Sequence, residues 1–151
     1  MILTRLKEAT RDQHEELERV FDPTVRAFTP GDYRRLPARL YGFYEPLEAR
    51  LGALPDWSAA GFDFSRRRKT PLLVRDLQSL GWRAGDIECL PRRRNLPRVD
   101  GFGRALGALY VVEGAMLGGQ IPSRHFKTTL DLTPVNGAAF YAGYGAETGV
   151  R

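Results

Sequence analysis

Apolar residues recur at intervals of three and four near the start of the chain, at Leu3, Leu6, Ala9, Leu17 and Val20. That spacing predicts an amphipathic helix over residues 2–21, ended near Pro23. Thr29-Pro30 is an N-cap followed by proline at the first helical position, and it opens a segment to about Ala53 that Pro37 and Pro46 should bend or divide. Residues 55–69 are rich in turn formers and arginine. Thr70-Pro71 then repeats the cap-and-proline signal before a short helix, Leu72 to Leu80, stopped by Gly81. A loop or short helix follows through Asn95. From about Asp100 to Thr129 the pattern is helical but rich in glycine, and Thr133-Pro134 should open a last helix carrying Phe140, Tyr141 and Tyr144. Nothing alternates with period two for long enough to build a sheet, so the expected fold is all-α in a single domain, with no repeat or domain-separating linker.

Two constellations carry candidate chemistry. At 100° per residue, Lys7, Arg11, His14 and Glu18 share an arc of about 60° on the first helix, beside its apolar stripe. An imidazole there can ligate a metal or heme iron, with Glu18 one turn on to orient it and two cations behind it for carboxylates. It can equally be a boundary histidine in an ordinary charged face. With 2 histidines and 1 cysteine in the chain and no cluster at structural metal spacing, the sequence argues against a multi-histidine zinc site.

On the later helix, Gly103, Gly107, Gly114 and Gly118 also fall within about 60°, with Gly119 adjacent. Each glycine inside a helix costs about 1 kcal/mol relative to alanine, so a bare strip of this kind serves close approach, either by another helix or by a flat ligand. Pro122 lacks the N–H that would bond the Gly118 carbonyl, which predicts a kink at Gly118-Gly119. A dinucleotide loop does not fit, because Gly101 and Gly103 are followed by Gly107 and no strand precedes them.

Composition narrows the picture further. The 151 residues, 42% hydrophobic and 27% charged, suit one ordinary globular domain. Neither an apolar leader nor a run long enough to span a bilayer is present, and Cys89 has no partner for a disulfide, so a cytoplasmic location is expected. The net charge of +5 is concentrated in Arg66-Arg67-Arg68-Lys69 and in Arg92-Arg93-Arg94 through Arg98. These read first as solvated loop charges. A nucleic-acid module would need aromatics interleaved with the cations or a recognition helix, and neither occurs. His125 lies about two turns beyond Gly118, too far along the helix for the same ligand, and reads as a partly exposed residue near a helix end.

Taken together, LKEATRDQHEELE, Leu6 to Glu18, and ALYVVEGAMLGGQIPSRHF, Ala108 to Phe126, resemble the proximal and distal helices of the heme oxygenase family. The FYAGYG segment from Phe140 extends the likeness, which sits nearest the bacterial branch associated with biliverdin-using photoreceptors. The resemblance implies a heme-oxygenase-like bundle with heme b, both cofactor and substrate, between the two helices. It implies His14 as the iron ligand, Glu18 as its orienting partner, Lys7 and Arg11 as the propionate cations, and Gly114, Gly118 and Gly119 as the oxygen-side glycines.

The implied activity is oxidative cleavage of heme to biliverdin with release of carbon monoxide and iron. Electrons would come from a ferredoxin or flavoprotein reductase, and a photoreceptor would accept the product. A heme carrier or sensor without turnover is the alternative. Two departures bear on that choice. Ala115 stands where many relatives carry a water-ordering Asp, and alanine makes no side-chain hydrogen bond. The chain also ends at Arg151, where relatives continue through further helix, so a shortened domain 1–151 is expected.

Overall fold

A computed structural model describes residues 2–20, 28–54 and 56–145, and among these every regular element is a helix. In chain order they are α1 (Ile2–Val20), α2 (Pro30–Gly52), α3 (Asp56–Ala59), α4 (Thr70–Ser79), α5 (Ala84–Glu88), α6 (Phe102–Gly118), α7 (Gln120–Leu130) and α8 (Ala139–Ala142), with a 3-10 turn at Phe64–Arg67. The expected stop near Pro23 lies outside the described residues, as does the segment from 146 to 151.

The start of α2 follows the sequence signal. Asp32 N donates to Thr29 Oγ1 at 3.1 Å and Thr29 N donates to Asp32 Oδ2 at 3.3 Å, a reciprocal cap, with Pro30 in the first turn. The two internal prolines, however, do not divide this helix. Pro46 cannot donate to the Gly42 carbonyl, but that carbonyl is not left empty: Arg93 N donates to it at 2.8 Å. The loop that brings Arg93 there runs so close that a Cβ at Gly42 would meet the Pro91 carbonyl oxygen. A segment 47 to 51 residues downstream thus repairs the helix; Arg92 adds a 2.8 Å ion pair to Glu45 and a 3.1 Å hydrogen bond to the Tyr41 hydroxyl.

The core lies between α2 and α4, closed by α6, α7 and α8. Leu47, Leu51, Leu73 and Leu77 are almost fully excluded from solvent, as are Met116 and Phe126. Aromatic pairs cross it: Tyr33 meets Phe126 edge to face at 4.7 Å between centroids, as Tyr44 meets Phe140 at 5.2 Å, and Phe126 meets Tyr141 at a tilt at 5.3 Å. The Tyr33 hydroxyl donates to the Gly137 carbonyl at 2.8 Å, so its polar end is satisfied inside the core.

Neither of the two later Thr-Pro signals acts as a simple helix cap. The Thr70 hydroxyl does not cap α4; it donates to Glu48 Oε2 at 2.6 Å, and the Glu48 carboxylate, reaching across from α2, accepts from the Thr70 and Lys69 amides instead. Thr133-Pro134 likewise opens a turn rather than the expected last helix: Asn136 Oδ1 accepts from the Thr133 N–H, and helix begins only at Ala139. The helical stop at Gly81 appears as expected, with φ of +83°.

Candidate functional site

α6 has two contrasting sides. Ala105, Leu109, Val112 and Met116 pack into the core. The opposite side carries Gly103, Gly107, Gly114 and Gly118, and apart from the adjoining helix itself no described atom lies within 4 Å of where a Cβ on any of these would stand. Around that strip, Leu106, Tyr110, Val111 and Leu117 are 44 to 66% exposed, and Ile121 continues the surface onto α7. Ala115 is on this side as well. The one charge there, Arg104, is tied at 2.5 Å to Asp100. Among the described residues no helix packs onto it, which was one of the two uses foreseen for a glycine strip. What remains is a smooth apolar surface with accessible backbone.

At the expected kink the helix is interrupted for one residue. α6 ends at Gly118, Gly119 is a turn residue with helical φ and ψ, and α7 resumes at Gln120. Both sides of the break keep their bonds, Gly119 N to Ala115 O and Ser123 N to Gly119 O, each at 3.0 Å. Gly119 differs from its neighbour in direction. It is buried, and a Cβ on it would stand 3.2 Å from the Tyr141 carbonyl oxygen, so its lack of a side chain serves the approach of α8 rather than the open strip.

From Thr4 to Arg19 every residue of α1 is exposed, including Leu6 and Leu17 on the apolar stripe. On it, His14 Nδ1 lies 3.2 Å from Glu18 Oε1, with the His14 side chain 71% exposed. Arg11 sits 3.7 Å from Asp12 and 3.9 Å from Glu15, and Lys7 is exposed. The first constellation is therefore one solvent-facing surface of α1, in which only His14 and Glu18 are paired with each other. α1 does not fill the space over the α6 glycines. His125 is partly buried, its ring 5.8 Å from that of Phe126, and Cys89 is exposed. No group of three metal-ligating side chains occurs among the described residues.

Sequence reasoning missed a charged cluster beside the strip. Lys69 is fully buried rather than solvated. Its ammonium donates to Glu113 Oε1 at 2.7 Å, to the Arg67 carbonyl at 2.7 Å and to the Tyr144 hydroxyl. Tyr144 in turn donates to Glu113, with 2.9 and 3.0 Å to its two oxygens. Arg67 Nη1 is 3.8 Å from Glu113 Oε2, and its guanidinium lies 5.8 Å over the Tyr144 ring. Burial raises the Tyr44 hydroxyl well above its ordinary range, and the negative charges of Glu48 and Glu113 push it further the same way. A basic run in the sequence gave no sign of this, because nothing local distinguishes Lys69 from its three arginine neighbours.

Among the described residues no helix is long and apolar enough to cross a membrane. No curated protein and no solved structure matches the chain. Residues 1–149 match the family model described as heme oxygenase.

Proposed function

The chain belongs to the heme oxygenase family, and from that premise we propose that it opens heme b to biliverdin, releasing carbon monoxide and iron. The observation that carries the proposal is the uncovered glycine strip of α6, a flat apolar surface for a planar macrocycle, facing solvent on a helix whose other side is fully packed. Gly107 and Gly114, inside α6 at a combined cost of about 2 kcal/mol, meet no packing partner among the described residues. Bound heme would supply the iron and the oxygen chemistry, and would itself be consumed.

The chain's own residues have separable tasks in this reading. His14 would hold the iron through Nε2, since Nδ1 is engaged by Glu18, whose carboxylate orients the ring. Lys7 and Arg11 meet the propionates. Arg11 exchanges only loose surface pairs to do so, each worth little in water. Gly114 and Gly118 admit the macrocycle to the α6 backbone, while Gly119 lets α8 brace the break behind it. Exposed apolar side chains of α1 and α6, Leu6, Leu17, Leu106, Tyr110 and Leu117, would close over the ring and exclude water.

A ferredoxin or flavoprotein reductase would supply electrons in the cytoplasm. The likeness to the photoreceptor-associated bacterial branch makes such a photoreceptor the expected acceptor of biliverdin. Incubation of the protein with hemin and a reductant under air tests the activity: the Soret band should decay as biliverdin absorption grows. A Soret band that persists without biliverdin would instead establish the second reading, a heme carrier or sensor, which Ala115 favours because that position offers no side-chain hydrogen bond to distal water.

A further inference from the structure

Glu113 directly precedes Gly114 on α6 and stands at the border of the open strip, with Tyr110 and Leu117 as its neighbours one turn away on that face. Its carboxylate is held by groups from two other parts of the chain, Lys69 at the start of α4 and Tyr144 just after α8. A fully buried ammonium is costly unless every proton finds an acceptor, and here three acceptors surround it: the Glu113 carboxylate, the Arg67 carbonyl and the Tyr144 oxygen. Such a cluster does two things at once. It fixes α6 against α4 and the segment after α8 at the residue preceding Gly114, and it sets the net charge beside the strip.

We propose that Lys69, Glu113 and Tyr144 form a positioning unit that holds the α6 glycine strip in place and tunes the charge experienced by a ligand lying on it. The proposal rests on the heme reading for the identity of that ligand. It does not restore the side chain missing at Ala115, because none of the three residues is at that position. It supplies fixed charge from the opposite border of the strip: counted at 100° per residue, Ala115 and Glu113 flank the glycines on either side. The other charged or titratable groups facing the cluster are Arg67, Tyr44 and, through the Lys69 amide, Glu48 with its partner Arg68.

The test uses the full chain loaded with hemin and follows its visible spectrum through the acid–alkaline transition. Glu113→Gln leaves the ammonium without its carboxylate, so net positive charge near the iron should favour the alkaline form and lower the midpoint. Lys69→Met removes the cation and should raise it. Shifts of about 0.5 pH unit or more in opposite directions are expected, with the double variant returning toward the parent. Damage to packing alone would move both variants the same way; same-sign shifts, or none, overturn the charge-setting role.

Amide exchange of the free protein tests the positioning role independently of hemin. Tyr144→Phe removes one hydroxyl and should speed exchange in residues 110–118 by about tenfold while α2 keeps its protection. Unchanged exchange there overturns it. If the parent chain gives no hemin spectrum, the heme reading fails, and the exchange result still decides whether the cluster holds α6.

Discussion

Asp76 and Phe140 are joined across 64 positions of sequence by a buried hydrogen bond, the Phe140 N–H donating to Asp76 Oδ2 at 2.8 Å, while Oδ1 takes the Ala139 N–H at 2.7 Å. The first turn of α8 thus hangs on a side chain of α4. Asp76→Ala would bury both N–H groups without acceptors, and unfolding in urea should show a loss of about 2–4 kcal/mol. A loss below about 1 kcal/mol would mean that α8 forms without this cap.

Asp76 also carries a pH signature. Burial raises its carboxyl above the ordinary 3.8, with the Phe140 and Ala139 amides and Arg75 pulling it partly back. A carboxyl with a raised folded pKa binds its proton more tightly folded than unfolded. Its contribution is therefore fullest below the unfolded value and declines as pH rises through the folded one. Against Asp76→Asn, which has no such titration, the parent's relative stability should fall from about pH 4 upward and then level off. A relative stability that rises over that interval would contradict the burial effect.

Glycines on the two sides of this molecule should respond with opposite signs. Gly114→Ala meets nothing within 4 Å, so the free protein should gain about 0.5–1 kcal/mol from helix propensity, while hemin affinity or turnover declines. Thermal melts of the free protein paired with hemin titrations check this. Equal hemin binding by parent and variant would show that the strip is not the ligand surface.

Gly42→Ala is the counterpart. The added methyl would run into the Pro91 carbonyl, and either the loop or α2 must shift, at a cost of about 1–3 kcal/mol. The urea midpoint should drop accordingly, and a neutral result would mean that the loop after α5 is not seated as described.

His14→Ala should abolish the hemin Soret complex and leave the melting of the free protein nearly unchanged, because the side chain is 71% exposed and its pair with Glu18 is a surface one. Retention of an unaltered Soret spectrum would assign the iron to another residue.

What was legible in the sequence was local. Thr29-Pro30 announces α2, Gly81 closes α4, and the spacing of glycines on α6 marks a face. The features that escaped are those in which one segment completes another. Pro46 reads as a break until Arg93, 47 positions later, donates to the carbonyl it frees. Thr70 reads as its own cap, yet Glu48, 22 positions earlier, provides the acceptor. Lys69 reads as one more surface cation until Glu113 and Tyr144 enclose it. Each depends on a partner that pattern and propensity, which see only neighbouring residues, do not identify.

The exposure of α1 reaches beyond the choice of iron ligand. A helix of 19 residues whose described side chains from Thr4 to Arg19 are all open to water has little besides its own propensity to sustain it, whereas most helical stability in proteins comes from packing an apolar face. Its helical content then becomes a gauge of occupancy. A ligand gripped by His14, as proposed, would add an anchorage that α1 otherwise lacks, and far-ultraviolet dichroism would register cargo before any chemistry begins.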